Sequence, residues 1–114
     1  LEGCADPFSH KVVRASMGAV FRDPPVQTTW EEASCALKRA GIPVAVTALS
    51  DRAKDLRQAQ LSDIAVVIGS EGRGAGEFFL THADQELIIP MSARCESLNA
   101  AIAAAIVMWE MKNQ

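Results

Sequence analysis

The chain has 114 residues and a formal net charge of −3, with 49% apolar and 22% charged residues. This balance is typical of a globular protein that buries a core, and the length predicts one domain over residues 1–114. No apolar run approaches the roughly 20 residues that a membrane-spanning helix needs, and no signal-peptide pattern opens the sequence. We therefore expect a cytoplasmic protein rather than a membrane or secreted one.

Charge and aromatic content limit the ways in which the chain can bind a nucleic acid. A negative net charge argues against binding over the whole surface, although it allows a local basic face. With two Trp, four Phe and no Tyr, a platform for stacking bases is not expected. Cys4, Cys35 and Cys95 lie far apart and have no metal-ligand spacing with His10 or His82. We expect reduced, mostly buried thiols and no zinc site.

Helix signals dominate the first third of the chain. Ser9 is the N-cap candidate of a helix over about 10–17, which Gly18 closes. Thr29 is the N-cap candidate of a second helix, and acidic residues in its first turn favour the positive helix start. Gly41 ends that second helix.

Strand signals follow in three short apolar runs, at residues 42–47, 64–68 and 87–89. The middle run is continuous and β-branched, which is typical of a central parallel strand covered on both faces. Residues 51–61 are charged and ambiguous, with one helical turn and a loop considered for them. A short helix is expected over about 76–83, and the Ala-rich segment 97–112 predicts a last helix. This alternation predicts an α/β fold with an open, mostly parallel sheet flanked by helices, in a strand order that stays undetermined.

The carboxyl ends of the three predicted strands are the candidate sites, because ligands in open α/β sheets bind there. The loop 69–76 (GSEGRGAG) is the most informative, since glycines allow a backbone to approach a ligand closely. It matches neither a phosphate loop nor a complete dinucleotide fingerprint. A plain glycine-rich turn is the simpler interpretation, although Glu71 between Gly69 and Gly72 favours a site that needs a carboxylate.

Two polar residues stand at the start of the last helix. Ser97 is its N-cap candidate, and capping alone accounts for this residue. Asn99 is less expected there because Asn is a weak helix former, so both side chains are candidates to face a ligand. The helix that follows is apolar nearly all round, and either its own sheet or a partner subunit covers it.

Three motifs follow one another along the chain: VVRASMGAVFR (12–22), VVIGSEGRGAGEFF (66–79) and LIIPMSARCESLNAAIAAAIVMWE (87–110). Together they closely resemble the SpoU/TrmH-type RNA ribose methyltransferases of the SPOUT superfamily, over essentially the whole chain. The resemblance implies an α/β knot, a deep trefoil in which the C-terminal part threads a loop, although connections normally avoid threading. It also implies methyl transfer from S-adenosylmethionine to a ribose 2′-hydroxyl of tRNA or rRNA.

The resemblance assigns roles to single positions, and no metal is expected among them. The family binds its cofactor largely through backbone groups of three loops. The corresponding positions here are Thr47, Gly69, Ile89, Met91 and Leu98. Ile89 and Leu98 are suited to form the walls of an apolar adenine slot. The residues that correspond to the reaction site, where they would orient the substrate ribose, are Glu71, Ser97 and Asn99.

The chain departs from the family in two places. Family members carry an earlier N-x-G-x-x-x-R motif whose arginine is thought to activate the hydroxyl, and this sequence contains no such motif. We therefore expect a partial domain that lacks its first strands and is inactive by itself, and we do not transfer the arginine's role to Arg14 or Arg22. Arg94 replaces a residue that is often Gly, which leaves the shape of that loop open.

Two other functions are compatible with the sequence. One is a non-catalytic remnant of the same fold that dimerises or binds RNA, which the missing motif favours. The other is a nucleotide-binding domain of unrelated function, which requires the motif match to be accidental. The family pairs through its final helix and its first-motif helix, so we expect a homodimer through residues 97–112 and about 10–17, with structured RNA as a further partner.

Overall fold

A computed structural model describes residues 1–69, 75–95 and 97–114, so Glu71 lies outside the described residues. The chain divides into two compact units, unit 1 (Leu1–Ala36) and unit 2 (Leu37–Gln114). The helices are α1 (His10–Ala15), α2 (Ala19–Arg22), α3 (Trp30–Ala40), α4 (Gly76–His82) and α5 (Ala100–Asn113). The strands are β1 (Val44–Thr47), β2 (Lys54–Asp55), β3 (Ala65–Val67) and β4 (Gln85–Ile88).

The regular structure of unit 1 is helical, and side-chain caps begin α1 and α3. The Ser9 hydroxyl accepts a hydrogen bond at 3.4 Å from the backbone amide three residues later, and Thr29 does the same for α3 at 3.3 Å. Gly18 has a φ of 85°, which residues with a Cβ rarely adopt, and it leads the chain from α1 into α2. Both predicted caps are confirmed, while the helix predicted over 10–17 already ends at Ala15.

Unit 2 contains a sheet with the strand order β2-β4-β1-β3, in which every described pair is parallel. The predicted α/β fold with parallel pairs is therefore confirmed. The prediction that the run 64–68 is a central strand was wrong, because β3 pairs with β1 alone among the described strands and forms an edge. Val66 and Ile68 pack against the core from that edge, and all of residues 65–68 are half-buried.

Strand β2 was not predicted within the charged segment 51–61. It is two residues long and pairs with the end of β4, so it has too few residues to show a period of its own. The turn of 3-10 helix that follows, Leu56–Gln58, agrees with the single helical turn considered for this segment. Hydrogen bonds from the Arg57 side chain and amide hold the pKa of Asp55 below its ordinary value, and the same pair raises the pKa of Arg57.

The core of unit 2 joins one face of the sheet, the segment 56–64 and α5. Its buried members are Ala45, Leu56, Ala59, Leu61, Ile64, Leu87 and Val107. The side chain of Gln114 fastens the end of α5 to the same segment. Its Oε1 accepts a hydrogen bond from the Leu61 amide at 2.8 Å, and its Nε2 donates to the Ala59 carbonyl at 2.9 Å.

Helix α5 has one buried side and one exposed apolar side. Val107 is 2% exposed in the core, whereas several large apolar residues face outward. These are Ile102, Ile106, Met108 and Trp109. Neither α5 nor another helix within the described ranges is long and apolar enough to span a membrane. The sheet therefore covers only part of the apolar surface of this helix.

The cysteines correct a prediction made from composition. Cys4, Cys35 and Cys95 are all exposed free thiols, so the expectation of mostly buried thiols was wrong. Cys4 lies in the turn before α1, Cys35 on the exposed side of α3, and Cys95 in the loop that precedes α5. Their positions in exposed segments, rather than on the core faces of β1 and α5, account for the difference.

Asp84 fastens the start of β4 to the start of β1, a role that sequence analysis did not assign. Its carboxylate accepts a hydrogen bond from the Val44 amide at 2.8 Å, and its own amide donates to the Val44 carbonyl at 2.7 Å. We expect Asp84→Ala to lower the free energy of unfolding by about 1 kcal/mol, because the Val44 amide loses a charged acceptor. Urea denaturation measures this loss. Asp51→Ala, at an exposed position, is the control, and equal losses in the two variants would contradict the assignment.

Candidate functional site

The candidate site lies where β3, β1 and β4 end. These strands are parallel neighbours, so their carboxyl ends meet at one edge of the sheet. Thr47 is the last residue of β1, Gly69 follows β3 by two residues, and Ile89 directly follows β4. The structure thus brings one residue from each of the three predicted loops to the same edge.

The hydroxyl of Thr47 joins β1 to the chain that leaves β3. Its Oγ1 accepts a hydrogen bond from the Gly69 amide at 3.1 Å and donates to the Val67 carbonyl at 3.5 Å. Thr47 and Gly69 are both half-buried, so this contact is partly shielded from water. The first two cofactor loops of the predicted site are therefore linked directly.

The connection that follows β1 is also fastened to β4. Because β4 lies between β1 and β2, residues 48–53 pass across β4 to reach β2. The Glu86 carboxylate of β4 accepts hydrogen bonds from the Ser50 hydroxyl and, at 3.4 Å, from the Arg52 guanidinium. The side chain of Glu86 is 10% exposed and that of Arg52 is 84% exposed. Sequence analysis missed Glu86, and its one signal was a charged residue beside the apolar run 87–89.

The third loop contributes apolar surface. Ile89, Met91 and Leu98 are each half-buried, and Ile89 packs against the core of unit 2. Apolar side chains that are partly open to solvent beside backbone groups are typical of a slot for a flat organic ring. Among the described residues, His, Cys, Asp and Glu form no group of three or more that could hold a metal ion.

The N-cap of α5 is Asn99, so the prediction that Ser97 caps this helix was wrong. The side-chain oxygen of Asn99 accepts hydrogen bonds from the amides of Ala101 and Ile102, at 2.9 and 3.3 Å. Asn and Ser are equally good caps, and the choice here follows from the helix starting at Ala100. Ser97 is exposed, and its described hydrogen bond is to Cys95, two residues away.

The sequence of this chain is similar to those of known RNA methyltransferases. The model of the SpoU rRNA Methylase family matches residues 1–109, a range that spans both compact units. The 23S rRNA (guanosine(2553)-2'-O)-methyltransferase RlmP of Bacillus subtilis is 33% identical, over 97% of this chain and 45% of the relative. The tRNA (guanosine(18)-2'-O)-methyltransferase of Escherichia coli is 35% identical, over 68% of this chain and 34% of the relative. The chain thus spans less than half the length of these relatives.

Solved structures agree with the sequence relatives. The AdoMet-bound rRNA methyltransferase from Sinorhizobium meliloti matches with a TM-score of 0.84 at 33% identity, over 96% of this chain and 42% of that one. The SpoU methyltransferase AviRb from Streptomyces viridochromogenes, in complex with the cofactor AdoMet, matches with a TM-score of 0.81 at 28% identity. That match covers 97% of this chain and 46% of AviRb.

The Asn99 cap is tested by its effect on stability. We expect Asn99→Ala to lower the free energy of unfolding by about 1 kcal/mol, because two backbone amides at the start of α5 lose their acceptor. Asn99→Ser keeps an acceptor and is expected to retain most of the stability. Urea unfolding followed by helical circular dichroism provides the measurement. Ser97→Ala is the matched control, and a loss there as large as in Asn99→Ala would contradict the assignment.

Proposed function

Since the chain belongs to the SpoU rRNA methylase family, we propose that it is the cofactor-binding part of an RNA 2′-O-methyltransferase. The reaction is methyl transfer from S-adenosylmethionine to a ribose 2′-hydroxyl of tRNA or rRNA. The family match over residues 1–109 carries this proposal, because it includes all three strand-end loops. Relatives named for ribose methylation and neighbours with bound AdoMet support it. Transfer is proposed for the whole enzyme, since the chain spans less than half of those relatives.

The described residues fit S-adenosylmethionine in their chemistry. Its adenine requires an apolar slot with main-chain partners, and Ile89, Met91 and Leu98 offer half-buried apolar surface for it. Thr47 and Gly69 supply main-chain groups at the neighbouring strand ends, and Gly69 has no side chain to keep the cofactor away. When bound, the cofactor supplies an electrophilic methyl group on a sulfonium.

We assign orientation of the substrate ribose to Glu71, Ser97 and Asn99, by correspondence with the family. The cap on α5 fixes the Asn99 side chain at the helix start, and a fixed polar group positions a hydroxyl at a lower entropic cost than a mobile one. Ser97 is exposed two residues earlier, where a substrate can reach it.

We also propose the family's knot for this chain. Its support is the strand order, in which β4 lies between β1 and β2 beneath their connection 48–53. In the proposed knot, the segment that leads into α5 threads this earlier loop. The TM-scores above 0.8 over nearly the whole chain are consistent with the same path.

A homodimer through α5 is part of the same proposal. The exposed side of α5 carries Ile102, Ile106 and Trp109, spaced so that they share one helix face. The exposed fraction of Trp109 is 71%, which is unusual for a large aromatic residue beside other apolar side chains. A second copy that packs through the same face would cover them, as closed twofold symmetry requires.

Cofactor binding is tested at Gly69. We expect Gly69→Val to abolish binding of S-adenosylmethionine, because a branched side chain occupies the space that the cofactor needs. Titration calorimetry measures binding, and circular dichroism is expected to show unchanged helix content. Ala36→Val introduces the same side chain at an exposed helical position and is expected to bind normally. Normal binding by Gly69→Val would show that the cofactor does not approach this strand end.

The dimer is tested at Trp109. Light scattering at tens of micromolar should give twice the chain mass of 12.2 kDa for the wild type. We expect Trp109→Glu to give the monomer mass, because a carboxylate in an apolar interface is desolvated without a partner. Lys112→Ala, at an exposed position of the same helix, is expected to remain a dimer. A monomeric wild type would contradict the proposed interface.

A further inference from the structure

We infer that Thr47 is a positioning residue whose hydroxyl holds Gly69 in place for the cofactor. The inference rests on the proposed function and deepens it, because it gives the Thr47 side chain a role that differs from contact with the ligand. Its starting point is the pair of hydrogen bonds from Thr47 Oγ1 to the Gly69 amide and the Val67 carbonyl. Both bonds connect β1 to the strand that carries the glycine-rich loop.

These bonds stand where the backbone ladder between β1 and β3 stops. Its last pair joins Val46 to Val67. In a continued parallel ladder, the next backbone bond would run from the Gly69 amide to the Thr47 carbonyl. The Thr47 hydroxyl accepts a hydrogen bond from this amide instead, and it also bonds to the Val67 carbonyl. It therefore extends the connection by one residue after backbone pairing has ended.

This arrangement fixes the point at which the chain leaves β3. The Gly69 amide is engaged with Thr47, so the residue cannot shift away from β1 without losing a half-buried hydrogen bond. Gly69 opens the glycine-rich loop, and a small displacement at its start moves the proposed cofactor contact. Displacements of this size are costly where reacting groups must be aligned.

The test distinguishes the effect of the Thr47 hydroxyl on binding from the effect of the side chain's shape. Thr47→Val keeps the branched shape and removes both hydrogen bonds, whereas Thr47→Ser keeps the hydroxyl and removes a methyl group. Titration calorimetry with S-adenosylmethionine is expected to give a dissociation constant about tenfold higher for Thr47→Val, the size of one lost hydrogen bond to the backbone. Thr47→Ser is expected to stay within about threefold of the wild type.

A second measurement follows the hydrogen bond itself. Amide hydrogen exchange of Gly69, observed by NMR without cofactor, is expected to be slow in the wild type and in Thr47→Ser. It is expected to be markedly faster in Thr47→Val, since the amide then has no acceptor. Val107→Ala is the control for stability, because it weakens the core under α5 and should leave cofactor affinity unchanged at temperatures where the chain is folded.

The possible results distinguish this inference from the function it rests on. A wild-type chain that does not bind S-adenosylmethionine would overturn the proposed function, and this inference with it. Binding by the wild type with equal affinity in Thr47→Val would overturn the inference alone, as would Thr47→Ser binding as weakly as Thr47→Val. Should Thr47→Val fail to fold, the wild type decides, since fast exchange of the Gly69 amide would overturn the inference and slow exchange would support it.

Discussion

Parallel pairing of β1 with both of its neighbours is the constraint on which the candidate site depends. Val46 is fully buried between Glu86 of β4 and Val67 of β3. Because all three strands run in the same direction, their carboxyl ends meet at one edge, and loops far apart in sequence begin side by side. An antiparallel neighbour would end at the opposite edge and remove its loop from the site. The topology of the sheet therefore determines where the candidate site lies, independently of its polar side chains.

Hydrogen bonds, more than charge attraction, hold this edge together. The Thr47 hydroxyl forms hydrogen bonds with the chain at the end of β3. The nearly buried Glu86 carboxylate accepts hydrogen bonds from the connection that crosses β4. A buried carboxylate is costly unless it is hydrogen-bonded, and Ser50 and Arg52 satisfy this one. Arg52 is mostly exposed, so solvent screens the ion pair, and its main effect is to keep the connection in place.

Local signals account for what the sequence predicted well. The caps Ser9 and Thr29 act on amides three residues away, so their effect is visible in a short stretch of sequence. The edge position of β3 and the existence of β2 depend on pairing with distant residues, which no local period contains. Asn99 and Ser97 illustrate an intermediate case, because both residues are good caps and only the observed helix start decides between them.

Resemblance to the family named the site residues, whereas geometry assigns physical roles to two of them. The bond between Thr47 and Gly69 joins residues 22 positions apart, so only the register of the sheet reveals it. Asn99 combines a cap with a proposed role in the reaction, and its loss therefore weakens α5 as well as any contact with the ribose. Ser97 is exposed and does not cap the helix, so a change there is expected to leave the fold intact. Loss of transfer at Ser97 would consequently be the more direct evidence that this segment takes part in the reaction.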